Sequence, residues 1–543
     1  MKSRLVTLAV FVHIVVPAIA QVSLDWASRY SNTPGVTEVL NAMALDSSGA
    51  IYVAGYADGG NQANDVLIVK LNQAGDTVWT RRYDGPVGSY DQANGIAVDK
   101  RGYVYVTGST SIRHTPGDFP NKDMLLIRYT PGGDTSWVRT SNGLGDNHDE
   151  GREVVLDDSG YVYVVGDVNA TETDVAVVKY DSTGRGIWSF IWNTGRDAIN
   201  DIAVDRQGNV YLTGMTLVFP GPVDSIVTIK INAAGEKQWA RTYPGMQNTA
   251  EGARSLCLDA AGNVYVTGVT HSGPPTYDDF ITLKYSSTGD VIWAKTYNGP
   301  GSYVDIGSTI ASDGLGSVYV AGMSYHGTVY GTQDYALVKY QAGNGDTVWA
   351  RRYDGVYDHE SPIAMVIDDA QGIYLTGRSG YHVATVKFNA AGESQWSVRY
   401  TGGNYGQNYG MRIALDRSKK VYVGGFGAGN ATGIDAFVLK YSQQSSSGVE
   451  SEVAMPGVFA LCANFPNPFN PSTTIRYGLP NRSHVTLTVF NALGQQVSIL
   501  QNGEQDAGYH DVRFDGENLP SGVYFYRMTA GSFTETRRLT LLR

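Results

Sequence analysis

Apolar and polar residues alternate in short runs along most of this chain, the period expected of strands whose two faces differ. Four such runs recur in fixed order. The first ends in aspartate, as in Gly95-Ile96-Ala97-Val98-Asp99. The second reads Ile51-Tyr52-Val53-Ala54-Gly55, and ends its series as Val421-Tyr422-Val423-Gly424-Gly425. The third resembles Asp65-Val66-Leu67-Ile68-Val69-Lys70, and the fourth Val78-Trp79-Thr80-Arg81-Arg82-Tyr83. Asp-x-x-Gly separates the first two, and Asn-x-x-Gly or Ser-x-Gly the last two, so each repeat reads as four antiparallel strands joined by tight turns.

The fourth-strand tryptophans are Trp26, Trp79, Trp137, Trp188, Trp239, Trp293, Trp349 and Trp396. Their spacing of about fifty residues fits one four-stranded unit per repeat. Trp26 precedes the first complete repeat, whereas the last repeat, ending near Tyr441, has no tryptophan of its own. The missing outer strand of the last unit has therefore moved to the start of the chain. This predicts an all-β fold: an eight-bladed β-propeller over residues 21–444, four antiparallel strands per blade, closed by its N-terminal strand.

Each first strand sets a large residue three places before its closing aspartate (Ile96, Ile202, Leu256) and a small one beside it (Ala97, Ala203, Cys257). Neighbouring strand residues face opposite ways, so adjacent blades nest with both faces buried. Cys257 in the small slot reads as an inert core thiol. Aromatic residues four places after most tryptophans, and a basic residue closing every third strand opposite an opening aspartate, recur too often to be a site. They are expected to pack and pair between blades.

Composition narrows the picture. The 543 residues carry a net charge of −11 with pI ≈ 5.3, which gives no electrostatic case for nucleic acid. Two cysteines provide no disulfide framework. Residues 1–20 read as a signal peptide: Lys2 and Arg4, an apolar run, then Ala18-Ile19-Ala20. No later apolar run is long enough for a transmembrane segment, and a soluble, monomeric exported protein is expected.

The array resembles the SBBP repeat family of bacterial β-propellers, through Ile96-Ala97-Val98-Asp99 with Val104-Tyr105-Val106-Thr107-Gly108, Asp334–Tyr340 and Gly345–Trp349. That resemblance implies architecture and no reaction. After a linker at 445–457, residues 458–543 hold six alternating runs, with Asn502-Gly503 and Asp515-Gly516 as turns, and predict a small Ig-like β-sandwich. This tail closely resembles the C-terminal sorting domain of type IX secretion cargo, through Asn464-Phe465-Pro466-Asn467-Pro468-Phe469-Asn470-Pro471, Ala492-Leu493-Gly494 and Leu519-Pro520-Ser521-Gly522-Val523-Tyr524. The resemblance implies passage through the periplasm, engagement of the type IX secretion machinery, and surface attachment or release.

Function is sought where repeats differ. The loops between second and third strands bring Arg113 and His114, His271 and Tyr277, and Tyr325 and His326; His382 stands where other blades place aspartate. These are the candidate ligand-binding residues, for a glycan or protein partner. Asp146, Asp149, Glu150, Asp358 and Glu360, in loops entering first strands, are candidate metal ligands whose carboxylates suit Ca²⁺ better than Zn²⁺. Polar residues just before the first strands, namely Asn41, Asn94, Arg152, Glu153, Asn200, Asp201, Arg254 and Arg412, are expected to line one mouth of a central channel. No catalytic or nucleotide-binding motif is present. The expected function is a surface or secreted binding and scaffold module without a cofactor. The alternative is an extracellular polysaccharide hydrolase or lyase using carboxylates at the channel mouth.

Overall fold

The computed structural model of the chain describes residues 22–443 and 459–541, except 31–36, 60–62, 89, 114–120, 144–147, 170–172, 218–223, 245–251, 274–276, 302, 326–332, 356–358, 403–405, 430–432, 462–463, 465–468, 470, 506–507 and 532. The signal-peptide segment and Cys462 thus lie outside the described residues. Every described element is a β-strand. No helix among them is long and apolar enough to cross a membrane. The chain divides into two compact units, Met1–Ser446 and Ser447–Arg543.

The first unit is a succession of four-stranded antiparallel sheets, each with its strands in chain order. The first comprises Glu38–Leu45, Ile51–Asp58, Asn64–Leu71 and Thr77–Tyr83. The following six begin with Gln92–Val98, Glu150–Leu156, Arg196–Val204, Gly252–Leu258, Asp305–Ser312 and Glu360–Ile367. The eighth differs. Its strands Asn408–Leu415, Val421–Ala428 and Ile434–Gln443 are completed by Val22–Tyr30, which pairs antiparallel with Ile434–Gln443, Val22 opposite Gln443 and Tyr30 opposite Ala436.

The repeat residues have specific duties in these sheets. Asp46 closes the turn between first and second strands: its Oδ1 accepts from Ser48 N at 2.8 Å and Ala50 N at 3.0 Å, and its Oδ2 from the Tyr52 hydroxyl at 3.0 Å. The same tyrosine-to-aspartate bond recurs at Tyr163–Asp157, Tyr211–Asp205, Tyr265–Asp259, Tyr374–Asp368 and Tyr422–Asp416. A buried phenol thereby keeps a partner, which explains tyrosine as the second letter of the second-strand motif.

Buried apolar side chains gather into clusters shared by neighbouring sheets. One joins Tyr52, Val66, Ile68 and Trp79 of the first sheet to Ile96, Val104 and Tyr129 of the second. The series continues around the unit to a cluster that joins Tyr422, Ala436 and Val438 of the eighth sheet to Leu40, Ile51 and Val69 of the first. Cys257 packs beside Tyr265, Phe280 and Trp293, and burial pushes its thiol pKa up, as befits an inert core position.

Polar ties cross the same seams. The Trp239 indole N–H donates to Ser287 O at 3.1 Å, in the turn between third and fourth strands of the next sheet, and Lys230 Nζ donates to that carbonyl at 3.1 Å while lying over the Tyr211 ring. Trp and Lys converge likewise on Pro131 O, Ala233 O, Ala342 O, Ala390 O and Gln73 O. The third-strand lysines therefore do not pair with the aspartates that open the same strands. Those aspartates lie at the other end, where Asp435 meets Arg29 at 3.0 Å and Asp334 meets Arg352 at 2.7 Å. The eighth sheet has no turn between its third and fourth strands, because these come from distant parts of the chain. There the Gln443 side chain takes the carbonyl's place, its Oε1 accepting from Lys387 at 2.8 Å and Trp396 at 3.4 Å.

The second unit has two sheets. Ala460–Leu461, Ser472–Leu479 and Gly508–Asp515 form one; Gln496–Gln505, Ser483–Asn491, Gly522–Ala530 and Phe533–Leu541 form the other in that spatial order. Ile475, Tyr477, Val485, Leu487, Tyr526, Met528 and Leu539 from both sheets share one core. Asn502-Gly503 is not the turn that the sequence suggests. It lies inside a strand, opposite Thr486 and Val485.

Candidate functional site

The first strand of each sheet of the first unit packs beside the first strands of neighbouring sheets, and these strands line two cavities. Each first strand carries a β-bulge, from the Leu40/Ala42 register shift in the first sheet to Gly410/Arg412 in the eighth. A bulge re-aims one side chain. The bulged residues are Asn41, Asn94, Arg152, Asn200, Arg254, Ser308, Ile363 and Met411. Backbone geometry thus repeats at this level while side-chain chemistry varies from Asn and Arg to Ser, Ile and Met.

Three of the asparagines are ties between sheets. Asn41 Nδ2 donates to Ala93 O at 2.8 Å, Asn94 Nδ2 to Gly151 O at 2.9 Å, and Asn200 Nδ2 to Ala253 O at 2.7 Å. Beside Asn41 and Asn94, a space of about 250 Å³ is lined by charges of both signs: Glu150, Arg152, Glu153, Asp201 and Arg412. Arg152 Nε donates to Asp167 at 2.5 Å. Burial works to raise the Glu150 carboxyl, but hydrogen bonds from His148, Asn94 and Gln92 and the Arg152 charge outweigh it and hold it at about 2. Glu153 goes the other way: burial pushes it up to about 7, against the pull of Arg412 and with the repulsion of Asp201. Burial raises Asp201 to about 6, although it accepts from Leu256 N at 2.8 Å and Ile202 N at 2.8 Å.

Across Asn200 lies a larger cavity, about 550 Å³, lined by Gly252, Arg254, Ser308, Ser361, Pro362 and Ile363 with Met215 and Val269 behind. Arg254 is the one charged residue of that lining. Its side chain stands exposed to the cavity, yet the surrounding protein desolvates it enough to lower its pKa.

Two of the metal candidates, Asp149 and Glu360, belong to a recurring set, while Glu150 lines the smaller space beside Asn94. Glu38, Asp91, Asp149, Asp197, Asp305, Glu360 and Asn408 each stand eight residues before a closing aspartate, and all are buried. Asp91 Oδ2 accepts from Gly85 N at 2.7 Å and its Oδ1 from Ser111 N at 3.1 Å. Asp149 accepts from Gly143 N at 2.5 Å; Glu360 accepts from Gly355 N at 2.7 Å and Ser379 Oγ at 2.7 Å. Asp91, Asp305 and Glu360 thereby fasten the segment entering their first strand to the end of the second. Constant spacing from the closing aspartate is the sequence signal that reveals the set. Asp146 and Asp358 lie outside the described residues, and among the described residues no group of three or more His, Cys, Asp or Glu side chains is placed to hold a metal.

The candidate ligand-binding residues sit at strand ends, because the strands run further than their sequence pattern marks. Arg113 ends Val104–Arg113 opposite Asn121, and Tyr277 opens Tyr277–Tyr285 opposite Gly273. His271 Nδ1 is 2.7 Å from Asp278 Oδ1. Tyr325 is buried, against the Tyr303 ring and bonded to Gln333. His382 opens His382–Phe388 opposite Ser379. His114 and His326 lie outside the described residues. The described ones come from four sheets, His271 and Tyr277 sharing one, and among the described residues no contact between them joins one sheet to another.

Residues 463–541 match the family model of a secretion system C-terminal sorting domain, and residues 78–113 and 193–220 match that of a β-propeller repeat. No curated protein matches the chain. Among solved structures it is similar to PorZ, a bacterial surface component of the type IX secretion system of Porphyromonas gingivalis, at 12% identity over 92% of this chain and 74% of that one, TM-score 0.35. It is similar also to the β-propeller domain of the Trilobed protease from Pyrococcus furiosus (9% identity, 65% of this chain and 94% of that one, TM-score 0.38). A third is the WD40 domain of SCAP from fission yeast (9% identity, 79% and 99%, TM-score 0.39).

Proposed function

We propose that this chain, which carries β-propeller repeats and a type IX C-terminal sorting domain and is thereby secreted to the cell surface or extracellular space, is a closed eight-bladed propeller acting there as a binding and scaffold module. Residues 1–20 serve as its signal peptide, 21–444 as the ring, 445–457 as a linker and 458–543 as an Ig-like sorting sandwich. The shared core between eighth and first sheets supports closure.

One observation carries the binding role. Tryptophans and lysines that recur from sheet to sheet hold neighbouring sheets together, and recurring acids hold strands and turns within a sheet, whereas the side chains at the first-strand bulges, which differ between sheets, line the central cavity. A rigid frame with variable side chains at one mouth is the arrangement of a recognition surface. The ends of second and third strands, with Arg113, His271, Tyr277 and His382, extend that surface, whereas Tyr325 is buried beneath it. The polysaccharide-cleaving alternative would use Glu153 and Asp201. Asp201 accepts from two backbone amides, which suits an anchor better than a proton shuttle.

The test is an array of glycans and cell-envelope fractions probed with the mature chain, with and without Ca²⁺, scoring bound ligand and released sugar together. Binding without release is expected. Sugar release would make the protein an enzyme and overturn the reading.

A further inference from the structure

The two sides of the central cavity differ in how their cations are used. Arg152 is committed to Asp167, and Arg412 faces the acids Glu153 and Asp201. Arg254 has neither: among the described residues its guanidinium meets no carboxylate and makes no hydrogen bond, and no acid lines the roughly 550 Å³ around it. The neighbouring sheets turn Ser308 and Ser361 toward the same space, and their hydroxyls likewise make no bond to described protein groups. In a chain with net charge −11, an unpaired cation held on a bulge among hydroxyls is a local reversal of the molecule's field.

We propose that this cavity binds an oxyanion (a carboxylate, sulfate or phosphate) carried by a ligand small enough to enter it, with Arg254 as the charge partner and Ser308 and Ser361 as additional donors. The planar guanidinium presents paired N–H groups that match two oxygens of one anion. Partial desolvation by the cavity walls strengthens that pairing relative to open water. The cavity is within the usual size range of small-molecule sites. This inference rests on the binding-module reading and names its ligand class.

Calorimetric titration of the mature full chain with glucuronate, sulfate and phosphate, and with glucose as the neutral comparison, tests it. At least one oxyanion is expected to bind where glucose does not, and the three arms identify which. Arg254→Gln should weaken that binding about 10- to 100-fold, the worth of a charged hydrogen-bonded pair. Raising the salt concentration should weaken it further. Arg254 makes no bond to described groups, so the variant's melting temperature should match the parent's, which separates lost binding from lost folding. Arg101→Gln, in a turn at the opposite end of the second sheet, should bind as the parent does. Silence of all three oxyanions at millimolar concentration, or equal binding by Arg254→Gln, would overturn the proposal. If neutral glycans or envelope fractions still bind the parent and Arg254→Gln alike, only the oxyanion inference falls. If the array is also blank, the binding-module reading falls with it.

Discussion

At the residue scale, Ser287 O shows how the seams between sheets are held, because it receives both Trp239 and Lys230 from the preceding sheet. Either donor alone keeps the carbonyl satisfied. Ser287 is exposed, so water replaces a lost donor; Trp239→Phe and Lys230→Met should each cost about 1 kcal/mol, and the double variant about their sum. A double-mutant cycle by denaturant titration measures this, and a double-variant loss well above the sum would refute it. The glycine two residues on is fixed by the same tryptophan. Gly289 has φ +87°, and a Cβ there would sit 2.7 Å from Trp239 Cδ2, whereas Gly160, at φ +85°, has open space around it. Gly160→Ala should cost only the left-handed backbone penalty, about 1–2 kcal/mol. Gly289→Ala should cost clearly more, seen as a larger drop in melting temperature. Most of these parts were legible from repetition: tryptophan, tyrosine, closing aspartate and turn glycine each hold one place in the pattern. The buried acids eight residues before the closing aspartate are marked only by that spacing, because Asp, Glu and Asn alternate there and the intervening residues vary. Arg254 was legible as a polar residue near the cavity. Its lack of a partner is a property of three-dimensional neighbours.

At the element scale, Val22–Tyr30 matters beyond its own pairing. It completes the eighth sheet, covers the open edge of Ile434–Gln443, and lays Trp26 against Gly75 of the first sheet. A chain beginning at Glu38 would expose an unpaired hydrophobic edge and lose one seam, so it should aggregate. A soluble, monomeric and equally heat-stable product would refute this. Gln443→Ala is a finer probe, leaving the strand in place while removing the acceptor for Lys387 and Trp396. Faster amide exchange is expected in Asn408–Leu415 and the strands beside it, with the first four sheets unchanged. The displaced outer strand was foreseeable by counting tryptophans against repeats. Gln443 was not, because it replaces a backbone carbonyl and so leaves no motif. In the second unit, alternation located the strands well, but Asn502-Gly503 misled: turn-forming residues are tolerated inside a strand wherever the pairing is irregular, as it is in this hairpin.

At the scale of the whole molecule, three buried carboxyls dominate the response to pH. Glu360 and Glu153 are each pushed by burial from an ordinary 4.5 up to about 7, and Asp201 from 3.8 up to about 6. A raised carboxyl binds its proton more tightly in the folded state. The contribution of each glutamate to stability is therefore complete below about pH 4.5 and is lost as pH rises through about 7, and that of Asp201 is complete below about 3.8 and lost through about 6. The melting temperature should be higher at pH 5 than at pH 8, and Glu360→Gln should flatten the difference; a parent that melts higher at pH 8 would contradict this. Glu150, held at about 2, opposes the trend only in stronger acid. Ending the chain at Ser446 removes the sorting domain, and cell fractionation should then find the propeller retained in the periplasm. The pairing of Val22–Tyr30 with Ile434–Gln443 also gives export a timetable. Val22–Tyr30 is synthesised about four hundred residues before the strand it pairs with, and no part of the sorting domain is made until that partner has been. The address is written only after the clasp, so a truncated array has no ticket for the outer membrane.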